Sequence, residues 1–278
     1  MANKLRQPYF TAELNSANCQ YEIRINDIVL DSGGGAVVCE LPLNHWVGTG
    51  ENLLEMTIRP ETAEAMGFTQ PPARCKVTIY QREVSASFES REMLTALVFQ
   101  PGSGVTGLEE SPEFSGANPP KAVLREPRLI RAQRVVPLQT SFPAWTWVSA
   151  LEIANNDATK SALADEYRRF WLLMNQRNLG AVDAAMQVNG QEIQAAYYKP
   201  SLSAALDDLD IRSFLADPAM RLNPFDGSNT TLRIFGRGRL AQLVGPNGKS
   251  PISFTSGRLP MYINLIYCRT SKGWIQIR

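Results

Sequence analysis

The first hundred residues show the alternation of apolar and polar positions that is typical of β-strands. Tyr21, Ile23 and Ile25 alternate with Glu22 and Arg24, so one face of an extended chain would be apolar and the other charged. The predicted strands are YFTAEL, QYEIRI, AVVCEL, NLLEMTIRP and RCKVTIYQR, separated by the predicted turns NSAN, DSGGG and GTGEN. Short strands at this spacing predict an antiparallel β-sandwich.

The segment 101–120 interrupts this pattern, because it is dense in Gly, Pro and Ser and has no periodicity. Strand-like sequence resumes after it in KAVLREPRLIRAQRVVPLQ and AWTWVSALEI. We therefore interpret 101–120 as an exposed loop within one sandwich domain that covers 1–155. Four arginines recur at every third position after the loop and are expected on a solvated face: Arg125, Arg128, Arg131 and Arg134.

At residue 157 the period of the apolar positions changes to that of a helix. Asp157 has the side chain of an N-cap, and apolar residues follow at helical spacing: Leu163, Tyr167, Phe170, Trp171 and Met174. The segments LGAVDAAM and QEIQAAYY predict two more helices, and Ser201 and Asp210 are the predicted caps of two shorter ones.

Strands return from about residue 231. They are TLRIFG, RLAQLVG, PISFTS, MYINLIYCR and GWIQIR, with the turn sequences PNGK and SKG between them. Helices followed by an antiparallel meander predict an α+β domain over 156–278. The predicted fold class is therefore mixed, with an antiparallel β-sandwich domain followed by an α+β domain.

Two resemblances to known families accompany this pattern. The long aromatic-striped helix, the short helices and a meander that ends in YCRTSKGWIQIR resemble the NTF2-like superfamily over about 120 residues. The segment LPLNHWVGTGENLLEMTI resembles part of a carbohydrate-binding jelly roll over fewer than 20 residues. The first resemblance implies a cone-shaped fold with a pocket, and the second implies a sugar-binding sandwich.

Composition indicates the class of protein and the cellular compartment to expect. Hydrophobic residues make up 44% of the 278 positions, which is enough to build real cores. No apolar run reaches the length of a membrane span, and MANKLRQPYF lacks the apolar core of a signal peptide. We expect a cytoplasmic protein, or a periplasmic or secreted one if a leader has been removed.

The four cysteines are far apart and are expected to be buried thiols: Cys19, Cys39, Cys75 and Cys268. One disulfide among the first three is the alternative if the protein is exported.

The sequence offers little catalytic chemistry. His45 is the only histidine, and it stands in LPLNHWVGTGEN, which we interpret as a structural turn. No nucleophile motif, phosphate-binding loop or spaced set of metal ligands is present, so we expect no cofactor and no metal. The acids Asp207, Asp208 and Asp210 are interpreted as helix caps and solvated turns. We therefore expect a protein that binds rather than catalyses.

Charge is the strongest compositional signal. Residues 1–155 carry a net charge of −4 and residues 156–278 a net charge of +5, while 221–278 alone holds nine basic residues against one acid. Arginines beside aromatic residues are typical of protein interfaces. We expect a protein partner with an acidic surface, recognised through Arg237, Arg239, Arg258 and Trp274. We do not expect nucleic-acid binding, because the overall pI is about 7.6 and no recognition motif is present. We do not expect membrane insertion, because no apolar run is long enough.

Alternative functions remain open at this point. A bacterial immunity-type or secretion-associated role would suit two domains without a cofactor. An NTF2-like pocket enzyme would act on a small molecule through Tyr and Asp. A carbohydrate-binding module would use Trp46 or Trp145 as a stacking platform.

Overall fold

The protein is described by a computed structural model that covers residues 5–62, 67–68, 72–101, 104–106, 119–126, 128–257 and 259–278. The chain divides into two compact units, Met1–Phe142 and Pro143–Arg278. Antiparallel sheets dominate, and five α-helices occur within the described residues, which agrees with a mixed α+β class. The predicted domain boundary at residue 155 and the jelly-roll and NTF2-like resemblances stay predictions.

The first unit is built from two antiparallel sheets, each with five strands within the described residues. The strands are β1 (Pro8–Ala17), β2 (Cys19–Ile25), β3 (Ile28–Gly34), β4 (Val37–Pro42), β5 (Gly50–Pro60), β6 (Arg74–Glu83), β7 (Glu92–Gln100), β8 (Gly104–Thr106), β9 (Lys121–Glu126) and β10 (Leu129–Leu138). One sheet has the order β4-β1-β6-β7-β8 and the other β3-β2-β5-β10-β9. Of the predicted loop 101–120, residues 104–106 form β8, and 102–103 and 107–118 lie outside the described residues.

Alternate side chains of β2 and β10 are buried, as their two-residue period predicts. The same period corrects the expectation for one arginine. Arg134 points to the buried side of β10, where its exposed fraction is 2%, and its Nη1 donates to the carbonyl of Ala96 at 2.8 Å. Arg128 and Arg131 are exposed, as expected, and the side chain of Arg125 lies outside the described residues.

Four of the five residues of the predicted turn DSGGG are instead the second half of β3, and Gly35 follows the end of that strand with a φ of 80°. Gly33 pairs with Tyr21 across β2 and β3. A Cβ atom on Gly33 would stand 3.0 Å from the hydroxyl oxygen of Tyr21, so glycine leaves the space that this ring occupies. The Tyr21 hydroxyl also donates to Asp31 at 2.9 Å. Gly33 is therefore part of a strand, because its lack of a side chain leaves room for the Tyr21 ring.

The stretch LPLNHWVGTGEN holds a short 3-10 helix, Asn44–Trp46, whose buried residue Asn44 ties it to β1. The Asn44 Oδ1 accepts the backbone N–H of Phe10 at 2.7 Å, and its Nδ2 donates to the carbonyl of Pro8 at 2.9 Å. The ring of His45 lies against Trp46 with centroids 4.4 Å apart. The Asn44 side-chain amide thus forms the hydrogen bonds with the backbone of β1 that a neighbouring strand would otherwise form.

Asn52 and Asn26 hold the end of the same stretch. The Asn52 Oδ1 accepts from the backbone N–H of Gly48 at 3.0 Å and from the Asn26 Nδ2 at 2.9 Å. The Asn52 Nδ2 donates to the carbonyls of Gly48 and Gly50 at 2.9 and 3.0 Å. Asn26 in turn accepts the N–H of Leu53 at 3.0 Å. Both side-chain amides are buried, so these hydrogen bonds satisfy polar groups that water does not reach.

The second unit contains five helices and seven strands within the described residues. They are α1 (Asp157–Asn175), α2 (Leu179–Ala185), α3 (Gln187–Tyr197), α4 (Leu202–Asp207), α5 (Ile211–Ala216), β11 (Arg221–Leu222), β12 (Thr231–Phe235), β13 (Leu240–Val244), β14 (Ser253–Ser256), β15 (Leu259–Tyr262), β16 (Tyr267–Thr270) and β17 (Gly273–Gln276). The side chain that caps α1 is Asn156, one residue before the predicted Asp157, and it accepts the N–H of Thr159 at 2.8 Å. Ser201 caps α4 as predicted, whereas Asp210 precedes α5 without a side-chain cap bond.

The predicted single meander is wrong, because its strands belong to two sheets. The orders are β11-β14-β15 and β12-β13-β16-β17. MYINLIYCR is not one strand: the chain leaves the first sheet after Tyr262 and enters the second at Tyr267. Within that crossing, Ile263 donates to the carbonyl of Ile252 at 3.0 Å and Ile266 donates to that of Arg278 at 2.7 Å. These hydrogen bonds satisfy backbone N–H groups of the segment between the two sheets, although that segment is not a strand.

Tyr167 links α1 to this larger sheet. Its hydroxyl donates to the carbonyl of Leu265 at 2.6 Å and accepts the N–H of Leu243 at 3.1 Å. The ring lies against Tyr267, with centroids 5.4 Å apart. The apolar residues of α1 predicted from helical spacing are accordingly in the core, with Leu163, Phe170 and Met174 buried.

We expect the replacement Asn52→Ala to lower the free energy of unfolding by about 2–4 kcal/mol, because several buried backbone groups lose their hydrogen-bond partner. Urea denaturation followed by tryptophan fluorescence measures this change. Asn15→Ala is the matched control, since Asn15 is half-buried on β1 and should cost less than about 1 kcal/mol. Equal losses for both variants would contradict a special role for the buried amides.

Candidate functional site

A four-residue turn joins β12 to β13 and carries two of the predicted site residues. Gly236 has a φ of 61°, and a Cβ atom there would lie 2.7 Å from the side chain of Leu240. Gly238 follows with a φ of 80°. The two glycines therefore allow the tight path, and Arg237 and Arg239 alternate with them.

Arg237 is held in an unusual backbone conformation. Its φ of 58° lies in the left-handed region, which costs an ordinary residue about 1 kcal/mol or more. The other non-glycine residues with positive φ among the described residues are Asn18, Asn26, Asp27, Arg177 and Tyr198. Asn and Asp tolerate this region, and the last two follow the ends of α1 and α3, where it is common. Arg237 is neither Asn nor Asp and does not follow the end of a helix, and its side chain is exposed.

The segment predicted to be the strand AWTWVSALEI runs along the end of the larger sheet instead. It contains a 3-10 helix, Thr146–Ser149. Beyond that helix, Leu151 donates its N–H to the carbonyl of Arg269 at 2.7 Å, and Ile153 donates to that of Gly238 at 2.8 Å. The guanidinium of Arg239 also donates to the carbonyl of Val148. The segment is thus fixed to the β12–β13 turn and to β16.

A buried ion pair holds the start of this segment. The Glu192 carboxylate, on α3, accepts the N–H of Thr146 at 2.7 Å. Arg278 stands 3.9 Å from the same carboxylate, and its Nη1 donates to Asn189 at 3.2 Å. Burial lowers the pKa of Arg278 to about 10, and the nearby Glu192 opposes that shift, so Arg278 stays protonated at neutral pH.

The result is an exposed surface on which apolar and basic side chains are neighbours. Val148 and Leu151 are 43% and 49% exposed, although large apolar residues are usually buried. Arg237 and Arg269 are exposed beside them, and Arg239 is half-buried. We call these five residues the basic patch. The side chain of Glu152 lies over Gly238, next to the patch.

Trp274 occupies a different position from the one predicted. It pairs with Arg269 across β16 and β17, but its side chain is half-buried against the core. There it lines a cavity of about 250 Å³ whose other walls come from α1, the α2–α3 region and the sheet. The lining residues are Arg169, Phe170, Leu173, Ala184, Ala185, Val188, Tyr267, Trp274, Ile275 and Gln276.

The structure gives the predicted site residues different positions. Arg237 and Arg239 belong to the basic patch, Trp274 lines the cavity and is paired with Arg269 of the patch, and Arg258 lies outside the described residues. Sequence reasoning missed Arg269 and the two apolar members, Val148 and Leu151. The short turn SKG could have revealed Arg269, because a two-residue hairpin turn between Thr270 and Gly273 places residue 269 opposite 274.

Burial also bears on the carbohydrate alternative. Trp46 and Trp145 are 7% and 2% exposed, so neither ring offers a free face for stacking on a sugar. The acidic cluster Asp207, Asp208 and Asp210 lies around α4 and α5, where Asp207 and Asp208 pair with Arg212 and Lys199.

Other charged clusters of the described residues are largely paired among themselves. On one sheet of the first unit, Arg24 binds Glu22 at 2.8 Å and Asp27 at 2.7 Å. On the other sheet, the Arg91 guanidinium lies 4.0 Å from the ring centres of Tyr80 and Phe88 and binds a carboxylate of β1 at 2.6 Å. In the basic patch, exposed arginines accompany exposed apolar side chains.

No protein-family model matches the sequence, and no characterised protein or solved structure is significantly similar to it. Within the described ranges, no helix has both the length and the hydropathy that crossing a membrane requires. In the same part of the chain, no three His, Cys, Asp or Glu side chains are grouped as a metal site would require.

We expect Arg237→Gly to raise the free energy of unfolding by about 0.5–1 kcal/mol, because glycine adopts positive φ without steric cost. Arg233→Gly is the matched control: Arg233 is exposed on the adjacent β12, and glycine in a strand should lower stability by about 0.5–1 kcal/mol. Paired urea denaturation curves measure both changes. A loss of stability in Arg237→Gly would show that the arginine side chain is needed for folding.

Proposed function

We propose that the protein is a non-catalytic binding protein whose basic patch recognises a partner protein with an acidic surface. The observation that carries this proposal is the pair of exposed apolar side chains, Val148 and Leu151, on a segment that is hydrogen-bonded to Arg239 and Arg269. Apolar anchors supply binding free energy when they leave water, and arginines form paired hydrogen bonds with carboxylates. The two kinds of side chain together are what an acidic protein surface with an apolar centre would need.

Two features support the patch as a binding surface rather than an incidental one. Residues 221–278 hold nine basic residues and one acid, so the electrostatic field around this end of the chain favours encounter with an acidic partner. Arg237 also occupies a strained backbone position, and such strain concentrates where a side chain has a function. The turn presents that arginine in a fixed direction, which reduces the entropy lost on binding.

We expect the double replacement Arg237→Glu with Arg269→Glu to weaken partner binding by roughly tenfold or more, since it turns attraction into repulsion. Wild-type and variant proteins are immobilised and exposed to the same native lysate. Quantitative mass spectrometry then identifies proteins that the wild type retains and the variant loses. The proposal expects these proteins to be acidic.

The matched control is Arg221→Glu with Lys249→Glu, which changes the charge of the same unit equally. Both residues are exposed, and Lys249 lies beyond the other end of β13. This variant should retain the partner, whereas Leu151→Ser should weaken its capture because it removes an apolar anchor. Equal loss in the two charge-reversed variants, or retention by Arg237→Glu with Arg269→Glu, contradicts the proposal.

A second candidate function rests on the cavity beside Trp274. Gln276 is 5% exposed, and its Nε2 has no hydrogen-bond partner in the structure although it lines the cavity. A buried amide without a partner is costly, and a small ligand with a hydrogen-bond acceptor would satisfy it. The volume of about 250 Å³ suits a single ring, and the lining contains no carboxylate or histidine that would make it a catalytic site of the predicted Tyr and Asp type.

We expect acetophenone, which carries an acceptor, to bind this cavity about fivefold more tightly than toluene, which carries none. Titrations followed by NMR shifts of the indole N–H signals measure both ligands. Gln276→Met should remove the preference for acetophenone while keeping the cavity apolar. Equal affinity of the two ligands for the wild type, or no binding of either, would contradict a polar ligand site here.

A further inference from the structure

Two cysteine thiols meet where the sheets of the first unit contact each other. Cys19 begins β2 in one sheet, and Cys75 is the second residue of β6 in the other. Both side chains are fully buried. The Cys19 Sγ donates to the carbonyl of Arg74, the residue before Cys75, at 3.4 Å. The chain thus brings the two cysteines together on strands of different sheets.

We propose that Cys19 and Cys75 are a cross-linking site, which forms a disulfide between the two sheets when the folding chain meets a disulfide oxidant such as oxidised glutathione. The Cys19 thiolate attacks the oxidant RSSR and forms a mixed disulfide, releasing one RS⁻. Cys75 then loses its proton and attacks the Cys19 sulfur, releasing the second RS⁻. The net change oxidises two cysteine thiols to one disulfide and reduces RSSR to two RSH.

Burial decides when the two thiols can react. In the folded unit, the interaction between them lowers the pKa of Cys19, and the same interaction together with burial raises the pKa of Cys75 well above its usual value. Because neither sulfur is exposed in the folded unit, exchange takes place before the sheets close, and the finished bond is protected from reductants.

The other cysteines do not share this arrangement. Cys39, on β4, is half-buried, and burial with the nearby Asp31 raises its pKa, which disfavours its thiolate. Cys268 belongs to the second unit, where burial raises its pKa to about 12. These two residues serve as internal controls for the pair.

The test uses the full chain with its natural cysteines. Protein that has been unfolded and reduced is refolded either with a mixture of oxidised and reduced glutathione or with dithiothreitol. Free thiols are then alkylated, and the digested protein is analysed by mass spectrometry. We expect one cross-linked peptide pair containing Cys19 and Cys75, with Cys39 and Cys268 alkylated.

The cross-link should also raise the melting temperature by about 10 °C relative to the dithiothreitol sample, because it closes a long loop in the unfolded chain. Cys39→Ser and Cys268→Ser should keep this gain, and Cys75→Ser should lose it. In a second route, the chain is exported to an oxidising periplasm and its cysteines are analysed in the same way, so that the test does not depend on the refolding yield. A different dominant pairing, or four alkylated cysteines by both routes, would overturn the proposal.

Discussion

The structure depends on how its irregular segments satisfy backbone N–H and C=O groups that no neighbouring strand can reach. In the first unit, side-chain amides do this for the stretch around His45, through Asn44 toward β1 and through Asn52 toward the start of β5. In the second unit, the segment after Trp145 bonds to the end of the sheet through Leu151 and Ile153. Because a buried polar group without a partner costs as much as several favourable contacts gain, these bonds decide where the segments can lie.

The same constraint shapes the basic patch. Leu151 is exposed because its backbone is fixed to β16 while its side chain points to solvent. Arg239 donates to a carbonyl of that segment, so one arginine of the turn stabilises the surface, whereas Arg237 is exposed on it. The backbone arrangement, more than the number of charges, determines which side chains this surface exposes.

The period of apolar positions predicted most of the strands and the long helix α1, because burial of one face imposes that period, whereas α4 and α5 were predicted from candidate cap residues. It failed where one contact outweighed local preference. Gly33 lies in a strand because Tyr21 needs its space, and Arg134 is buried because its strand alternates. Of the site, Arg237 could be predicted from charge, but Leu151 could not. Its position is fixed by a hydrogen bond to Arg269, more than a hundred positions away, which no local pattern encodes.

The most direct test of the central claim is the salt dependence of affinity for the partner that the basic patch retains. Calorimetric titrations between 50 and 300 mM salt measure the dissociation constant and the heat-capacity change together. Recognition through exposed arginines and apolar anchors predicts a loss of affinity of roughly tenfold or more, with a negative heat-capacity change that persists at high salt. An affinity that does not change with salt would contradict the account.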